Sequence, residues 1–435
     1  MSIPTKPFDP NVAGDHDGVG ESDRYRNGVV ARSIVATLFA WVLMFSATMT
    51  ATRADDWLGF RGDGTNAATS SPPESIIDDQ GKPRPRWKTE IEGESVAGVV
   101  VVGDVVVATS SYGPVGNHIA ITGLDLVNGH ERWRQNFEST GRPYSHPTGA
   151  NAAPTPVSDG RYIVSLFSSN DLVCLNREGE IVWYRGLTVD HPAIGNDLGL
   201  ASSPAIADGV VTVLIENQGT PIALGIDVQS GRDLWKIDRD PESNWASPVA
   251  VRRGGDAGGM QFVMASRNEV IGIEPSTGEI AWTLDEPRSA VSSPTPAGDK
   301  LFLPGDDLLA VDLTSAAIPS ELWRERSLAT PNASPVVTDD RIYSLKGSVL
   351  IAADTDGQTI WKQRLGGLAG TWATPVIAKD RLFVFDQKGG GRVVVDRGEE
   401  AEIVEEVDLG NGVYGSPAVV DGKLLVRTRD AVWCF

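Results

Sequence analysis

Seven tryptophans, at positions 87, 133, 183, 235, 282, 323 and 361, each close a stretch that reads roughly Asp-x-x-x-Gly-x-x-x-Trp, at intervals of 38 to 52 residues. A β-rich repeat of that period is the signature of propeller blades or solenoid units, because one unit cannot bury its apolar faces without a neighbour. The copies at Leu124-Asp125 to Trp133, Ile226-Asp227 to Trp235, Ile273-Glu274 to Trp282 and Ala353-Asp354 to Trp361 are variations on one sentence. A second motif, small-Pro-apolar-x-apolar, interleaves with the first at Pro154, Pro204, Pro248, Pro294, Pro335, Pro375 and Pro417, with a Pro-less copy from Ala97 to Val107. Eight copies predict eight blades.

Each unit reads as four short strands. Strand A follows the Ser-Pro, a polar turn leads to strand B, a loop leads to strand C ending at the Asp, and a Gly turn leads to strand D with its Trp. Proline is tolerated at the start of a strand, where no ladder donor is lost. Near-continuous apolar runs such as Val99 to Val102 suit sheets covered on both faces. After the last Ser-Pro the chain has room for three strands, ending at Phe435, while Arg86 to Ile91 precedes any A strand. The expectation is an all-β, eight-bladed propeller at 86–435, its last blade completed by that N-terminal strand so that no edge is left open.

Over about Trp87 to Phe435 these units resemble the repeats of the pyrroloquinoline-quinone (PQQ) propeller superfamily, the quinoprotein alcohol dehydrogenase-like fold. That superfamily holds alcohol and glucose dehydrogenases and also non-enzymatic members, such as the propeller lipoprotein of the outer-membrane β-barrel assembly machinery. Resemblance of repeats implies architecture, whereas activity has to be argued from a site. The dehydrogenases hold an anionic quinone with Arg and amide donors, bind Ca²⁺ through Glu and Asn, and commonly carry a disulfide between adjacent cysteines. This chain has two cysteines, Cys174 and Cys434, far apart in sequence and two blades apart in the predicted ring. Glu216-Asn217 and Asp306-Asp307 are oxygen-bearing B–C tips suited to a hard cation, but neither matches a family motif. The resemblance therefore points to the non-enzymatic, assembly-type propellers, with no catalytic residue and no cofactor. The alternative is a PQQ- and Ca²⁺-dependent alcohol or sugar dehydrogenase.

The formal charge of −20 and pI near 4.7 make nucleic acid and anionic membrane surfaces poor partners. Ser33 to Ala51 is an uncharged run after Arg24, Arg26 and Arg32, and Thr52 and Ala54 put small residues before Asp55. It reads as a signal peptide within a 1–54 leader, cleaved after Ala54, or as an uncleaved anchor. Either reading exports the protein to the periplasm or cell envelope. The segment 55–85, opening with Trp57 to Gly62, reads as an extended connector clipped to the propeller surface or as a partner-docking segment.

Chemistry on such a scaffold belongs to loops. D–A and B–C connections share one face, and two D–A loops are long, Glu138 to Ala153 and Leu187 to Ser202. Just before the Ser-Pro motifs lie Asn151, Asn244, Trp245, Asn332, Trp372 and Tyr414, predicted to ring the channel mouth. Aromatic faces alternating with amides suit a flat or sugar-like ligand. His146, His191 and Asp190 in the long loops are candidates for a metal or acid–base site; His16, His118 and His130 belong to the leader, a strand start and a turn. The reading is a monomeric, exported scaffold that binds an envelope protein or a polysaccharide through its loop face.

Overall fold

The structure is a computed structural model that describes residues 56–143, 145–194, 198–254, 258–315 and 318–435. The leader, with its apolar run and His16, lies outside the described residues. Among those described, no helix is long and apolar enough to cross a membrane.

Eight antiparallel sheets, each built from four strands A to D, follow one another along the chain as an eight-bladed β-propeller. Blade 1 comprises Val100–Val102, Val105–Tyr112, His118–Asp125 and Glu131–Glu138. Blades 2 to 7 occupy 157–186, 205–238, 249–284, 295–325, 336–364 and 376–408. Blade 8 takes Ala418–Val420, Lys423–Arg427 and Ala431–Cys434 from the C-terminus, and its outer strand is Trp87–Glu90, with Trp87 paired to Cys434 and Glu90 to Ala431. B and C strands are buried almost throughout, as in Val210–Ile215. D strands alternate, as in Asp233–Asp238, where Trp235 is buried between exposed neighbours.

The ladder registers explain the tryptophans. Each one stands opposite a small residue on strand C of its own blade: Gly123, Gly225, Gly272, Ala310 and Ala352 for Trp133, Trp235, Trp282, Trp323 and Trp361. Cys174 and Cys434 fill the same slot opposite Trp183 and Trp87, so both thiols are buried packing residues rather than a disulfide. The indole then reaches the next blade. Nε1 of Trp87, Trp133, Trp183, Trp235 and Trp323 donates to the carbonyls of Leu126, Arg177, Val228, Pro275 and Thr355 at 2.7–3.2 Å. Its ring also covers the glycine of that blade's C–D turn. At Gly231, φ is +70° and a Cβ would lie 2.7 Å from the Trp183 ring, so the glycine of the repeat answers to both backbone and neighbour.

Blade 7 has no tryptophan. Its slot, opposite Val393, holds Glu405, whose carboxylate accepts the backbone N–H of Ile76 at 2.9 Å. Ile76 is fully buried and belongs to the hydrophobic cluster shared by blades 7 and 8.

The Ser-Pro motifs form a belt around the axis. From Gly98 in the Pro-less copy onward, the N–H at this position donates to the hydroxyl of the pre-proline residue one blade on: Gly98 to Thr155, Thr155 to Ser203, Ser203 to Ser247, Ser247 to Ser293, Ser293 to Ser334, Ser334 to Thr374 and Thr374 to Ser416, at 2.9–3.3 Å. Blade 2 therefore uses Thr155-Pro156 and not the Pro154 of the sequence pattern, a shift of two residues. The pre-proline residue is held extended by its neighbour, and proline itself brings no donor to an inner edge that has no further strand. At the seam with blade 8, a Cβ on Gly98 would sit 2.9 Å from the Ser416 carbonyl, which is why blade 1 carries glycine here.

The segment after the leader is neither a surface clip nor a loose connector. It pairs with inner A strands from within. Trp57 exchanges two backbone bonds with Val101, the Leu58 carbonyl accepts from Ser158, those of Thr65 and Asn66 accept from Val337 and Ile377, and Ala67–Ala68 runs parallel to Ile377–Ala378. Between these points the Arg61 guanidinium donates to Thr295 Oγ1 and the Pro294 carbonyl, both at 2.6 Å. The segment thus crosses the channel from blades 1 and 2 to blades 6 and 7, supplying acceptors to inner edges that would otherwise be unpaired.

Two consequences are measurable. Gly231→Ala should destabilise the native state by about 1–3 kcal/mol, read as a lower denaturation midpoint. Burial pushes the thiols of Cys174 and Cys434 up to about 12 and about 11, so neither should react with a thiol reagent at pH 8 until the protein is unfolded, when both should.

A blind cavity on the loop face

The D–A and B–C loops surround a cavity of about 500 Å³ on the propeller axis. Its wall includes the seven belt hydroxyls, and Phe60 of the channel-crossing segment also lines it. Below Phe60, Arg61 is only 1% exposed, and burial pushes its pKa down to about 9. The segment therefore closes the channel, and the cavity is blind.

The residues predicted for the channel mouth divide into two groups. Trp245, Asn332, Trp372 and Tyr414 line the cavity. Trp372 is 43% exposed, Trp245 is fixed by its Nε1 donating to the Gly199 carbonyl at 3.0 Å, and Arg429 lies 5.6 Å over the Tyr414 ring. Asn151 and Asn244 are a correction: both are buried behind the wall, and their amides are used by backbone. Asn151 donates to Gly116 and accepts from Ser169, and Asn244 donates to Ala265 and accepts from Ala246. These asparagines tie backbone of their own or neighbouring elements before they can face the cavity. Two lining residues escaped sequence reasoning. Gln387 comes from a B–C loop without a motif, and Phe60 arrives from outside the repeats.

The long loops are tied down by buried polar groups. Asp171 is fully buried and accepts from the N–H and hydroxyl of Thr140, from Ser169 and from Tyr184. Burial first, and then this carboxylate, holds the Tyr184 phenol above its ordinary pKa. The backbone N–H of His146 donates to Leu198, linking the two long loops, and Arg429 donates to the carbonyls of Thr148 and Gly149 while pairing with Glu94.

No metal or acid–base centre assembles from the loop histidines. His146 turns to Thr148 at 2.7 Å, His191 to Asp233 at 3.6 Å, and Asp190 to Arg185 at 2.6 Å. Among the described residues no group of three or more His, Cys, Asp or Glu side chains is placed to hold a metal ion. Glu216 is spent on Arg239 at 2.8 Å, its pKa raised by burial against that pull. Asp307 is spent on Arg288 at 2.9 Å, and Asp306 is exposed. Among the described residues no Arg, Lys, Asp or Glu side chain lines the cavity, whose wall does include the imidazole of His146. An anionic quinone and its Ca²⁺ would find neither counter-charge nor carboxylate ligands there, so the residues present do not fit that cofactor.

The profile of the family described as outer membrane protein assembly factor BamB matches residues 51–236, 222–346 and 345–435. BamB of Salmonella typhimurium is 25% identical, across 55% of this chain and 75% of its own length. The crystal structure of BamB from Moraxella catarrhalis superposes with a TM-score of 0.59 at 15% identity, covering 81% of this chain and 96% of that one. A quinohemoprotein alcohol dehydrogenase from Comamonas testosteroni gives 0.63 at 12% identity, with 89% and 81% covered. A europium-containing methanol dehydrogenase gives 0.62 at 12%, with 86% and 89% covered. At such identities the structural likeness carries the fold alone.

Replacing the buried acceptor by Asp171→Asn should cost about 1–3 kcal/mol and release the 138–153 loop, read as faster proteolytic cleavage there with the propeller core still protected.

Proposed function

The chain belongs to the outer membrane protein assembly factor BamB family, and from that premise we propose that it is an exported, non-catalytic propeller of the cell envelope that docks an envelope protein on its D–A/B–C loop face. The observation that carries this reading is the distribution of exposed apolar side chains. Val115, Val189, Leu198 and Trp372 are 42–70% exposed and lie in D–A or B–C connections, Leu198 and Trp372 lining the cavity, while the other exposed large apolar side chains lie on outer D strands or in the short turns of the opposite face. Apolar side chains exposed on ordered loops, beside a cavity, are what a protein-binding surface presents. The −20 charge favours a partner whose docking surface is basic or neutral.

A polysaccharide is the second reading, supported by the uncharged, aromatic-rimmed cavity at the centre of the same face. A dehydrogenase has less support, because among the described residues the cavity wall offers no carboxylate, ammonium or guanidinium to a quinone or a cation.

Photo-crosslinking residues placed singly at Val115, Val189 and Leu198 in the full chain should yield adducts with an envelope protein. The same residue at Val127 or Ile318, exposed in C–D turns of the opposite face, should not. Adducts from the turn face alone would overturn the assignment.

A further inference from the structure

We infer that the cavity is an end-on site for the terminal, uncharged residues of a saccharide chain, an inference that rests on the loop face being the binding face.

Four observations converge on that ligand. The cavity is blind, because Phe60 and the segment behind it close the channel. A blind site admits the end of a chain and excludes an internal stretch, which would need a groove or a through-channel. At about 500 Å³ it falls within the roughly 300–1,000 Å³ of small-molecule sites.

Among the described residues the wall carries no carboxylate, ammonium or guanidinium, and His146 is its one imidazole, in a protein whose net charge is −20. A charged ligand would lose its hydration there without gaining a partner. A neutral polyol loses less and recovers it through hydrogen bonds.

The hydrogen-bonding groups match such a polyol. Each belt hydroxyl oxygen accepts a backbone N–H from the blade before, except that the series begins at Gly98. Among the described residues none of these seven hydroxyls donates to another protein group, so each retains an O–H for the cavity. Nearer the mouth, the side-chain amides of Asn332 and Gln387 have no protein partner among the described residues and offer both donor and acceptor. An apolar side chain pushed in from a protein partner would strand these groups, at a cost for each.

Finally, Trp372, Trp245 and Tyr414 stand at the rim. Flat aromatic faces with polar tips stack on the C–H faces of sugar rings while leaving their hydroxyls to the amides. Rings at the rim and hydroxyls at the base are the order in which a saccharide end meets them.

The test uses the full chain and three linear neutral probes, maltotriose, cellotriose and chitotriose, with α-cyclodextrin as a saccharide without an end and tri-galacturonic acid as an acidic one. Binding is read by calorimetry and by tryptophan fluorescence. At least one linear neutral probe should bind saturably, and Trp372→Ala and Asn332→Ala should each weaken it about tenfold. Neither side chain is buried, so both variants should keep the wild-type melting temperature. α-Cyclodextrin and the acidic trimer should not bind. Binding of α-cyclodextrin would overturn the end-on geometry, and preference for the acidic trimer would overturn the uncharged specificity. No binding by any linear neutral probe, or binding unchanged in both variants, would overturn the site itself. Protein adducts from Val115 and Val189 read the docking surface separately. Their persistence without sugar binding removes this inference alone, and their loss with sugar binding removes protein docking alone.

Discussion

The docking of one blade's tryptophan onto the next blade's C–D turn is the contact on which the ring depends. A four-stranded sheet buried on both faces has no stability of its own, and the indole joins it to its neighbour in two ways. It covers a glycine, as Trp183 covers Gly231, and it donates to a carbonyl beside that glycine, as to Val228. A buried aromatic removes 150–250 Å² from water, about 4–6 kcal/mol at 25 cal/mol/Å² before entropy is counted. Repeating that contact around a circle makes the stability collective. Trp282 and Trp361 vary the theme, turning to Gln261 and Asp396.

The hydroxyl belt plays the corresponding part near the axis. There the sheets converge, and the inner strands are too short to carry a ladder across blades. One Ser or Thr in each of blades 2 to 8 accepts the N–H from the blade before, so radial packing outside and a circumferential chain inside define the same blade spacing. Because each belt oxygen is used as an acceptor while its proton is not used as a donor, a feature that links successive blades also gives an otherwise largely apolar cavity its hydroxyls. Structure and candidate site share atoms, which ties the chemistry of the base to the architecture and leaves specificity to the rim.

Much of this was legible in the residues. The blade number followed from the counted motifs, the outer strand of blade 8 from the leftover Trp87 element, and the inert cysteines from their strand C positions. The reason is that each of these is set by local repetition. Trp245, Asn332, Trp372 and Tyr414, which line the cavity, stood out by their place just before the Ser-Pro motifs. The same rule also picked Asn151 and Asn244, since an amide that caps its own loop and one that faces a cavity look alike in sequence. Pro154 was taken for Pro156 because two prolines flank Thr155 and either frame fits the pattern.

What the sequence by itself determined is the propeller: a Trp, a Gly and a Ser-Pro at a steady period dictate strand count and blade contact, whatever lies between them. What only the tertiary structure decided is that the channel is closed and that, among the described residues, no carboxylate, ammonium or guanidinium lines the cavity. Phe60 and Arg61 belong to no repeat, and Arg61 finds Pro294 and Thr295 more than two hundred residues away. The absence of charge in the wall is a property of loops from many blades brought together. Such long-range convergence leaves no local periodicity to read, because it arises from where the ring places those loops and not from any spacing along the chain.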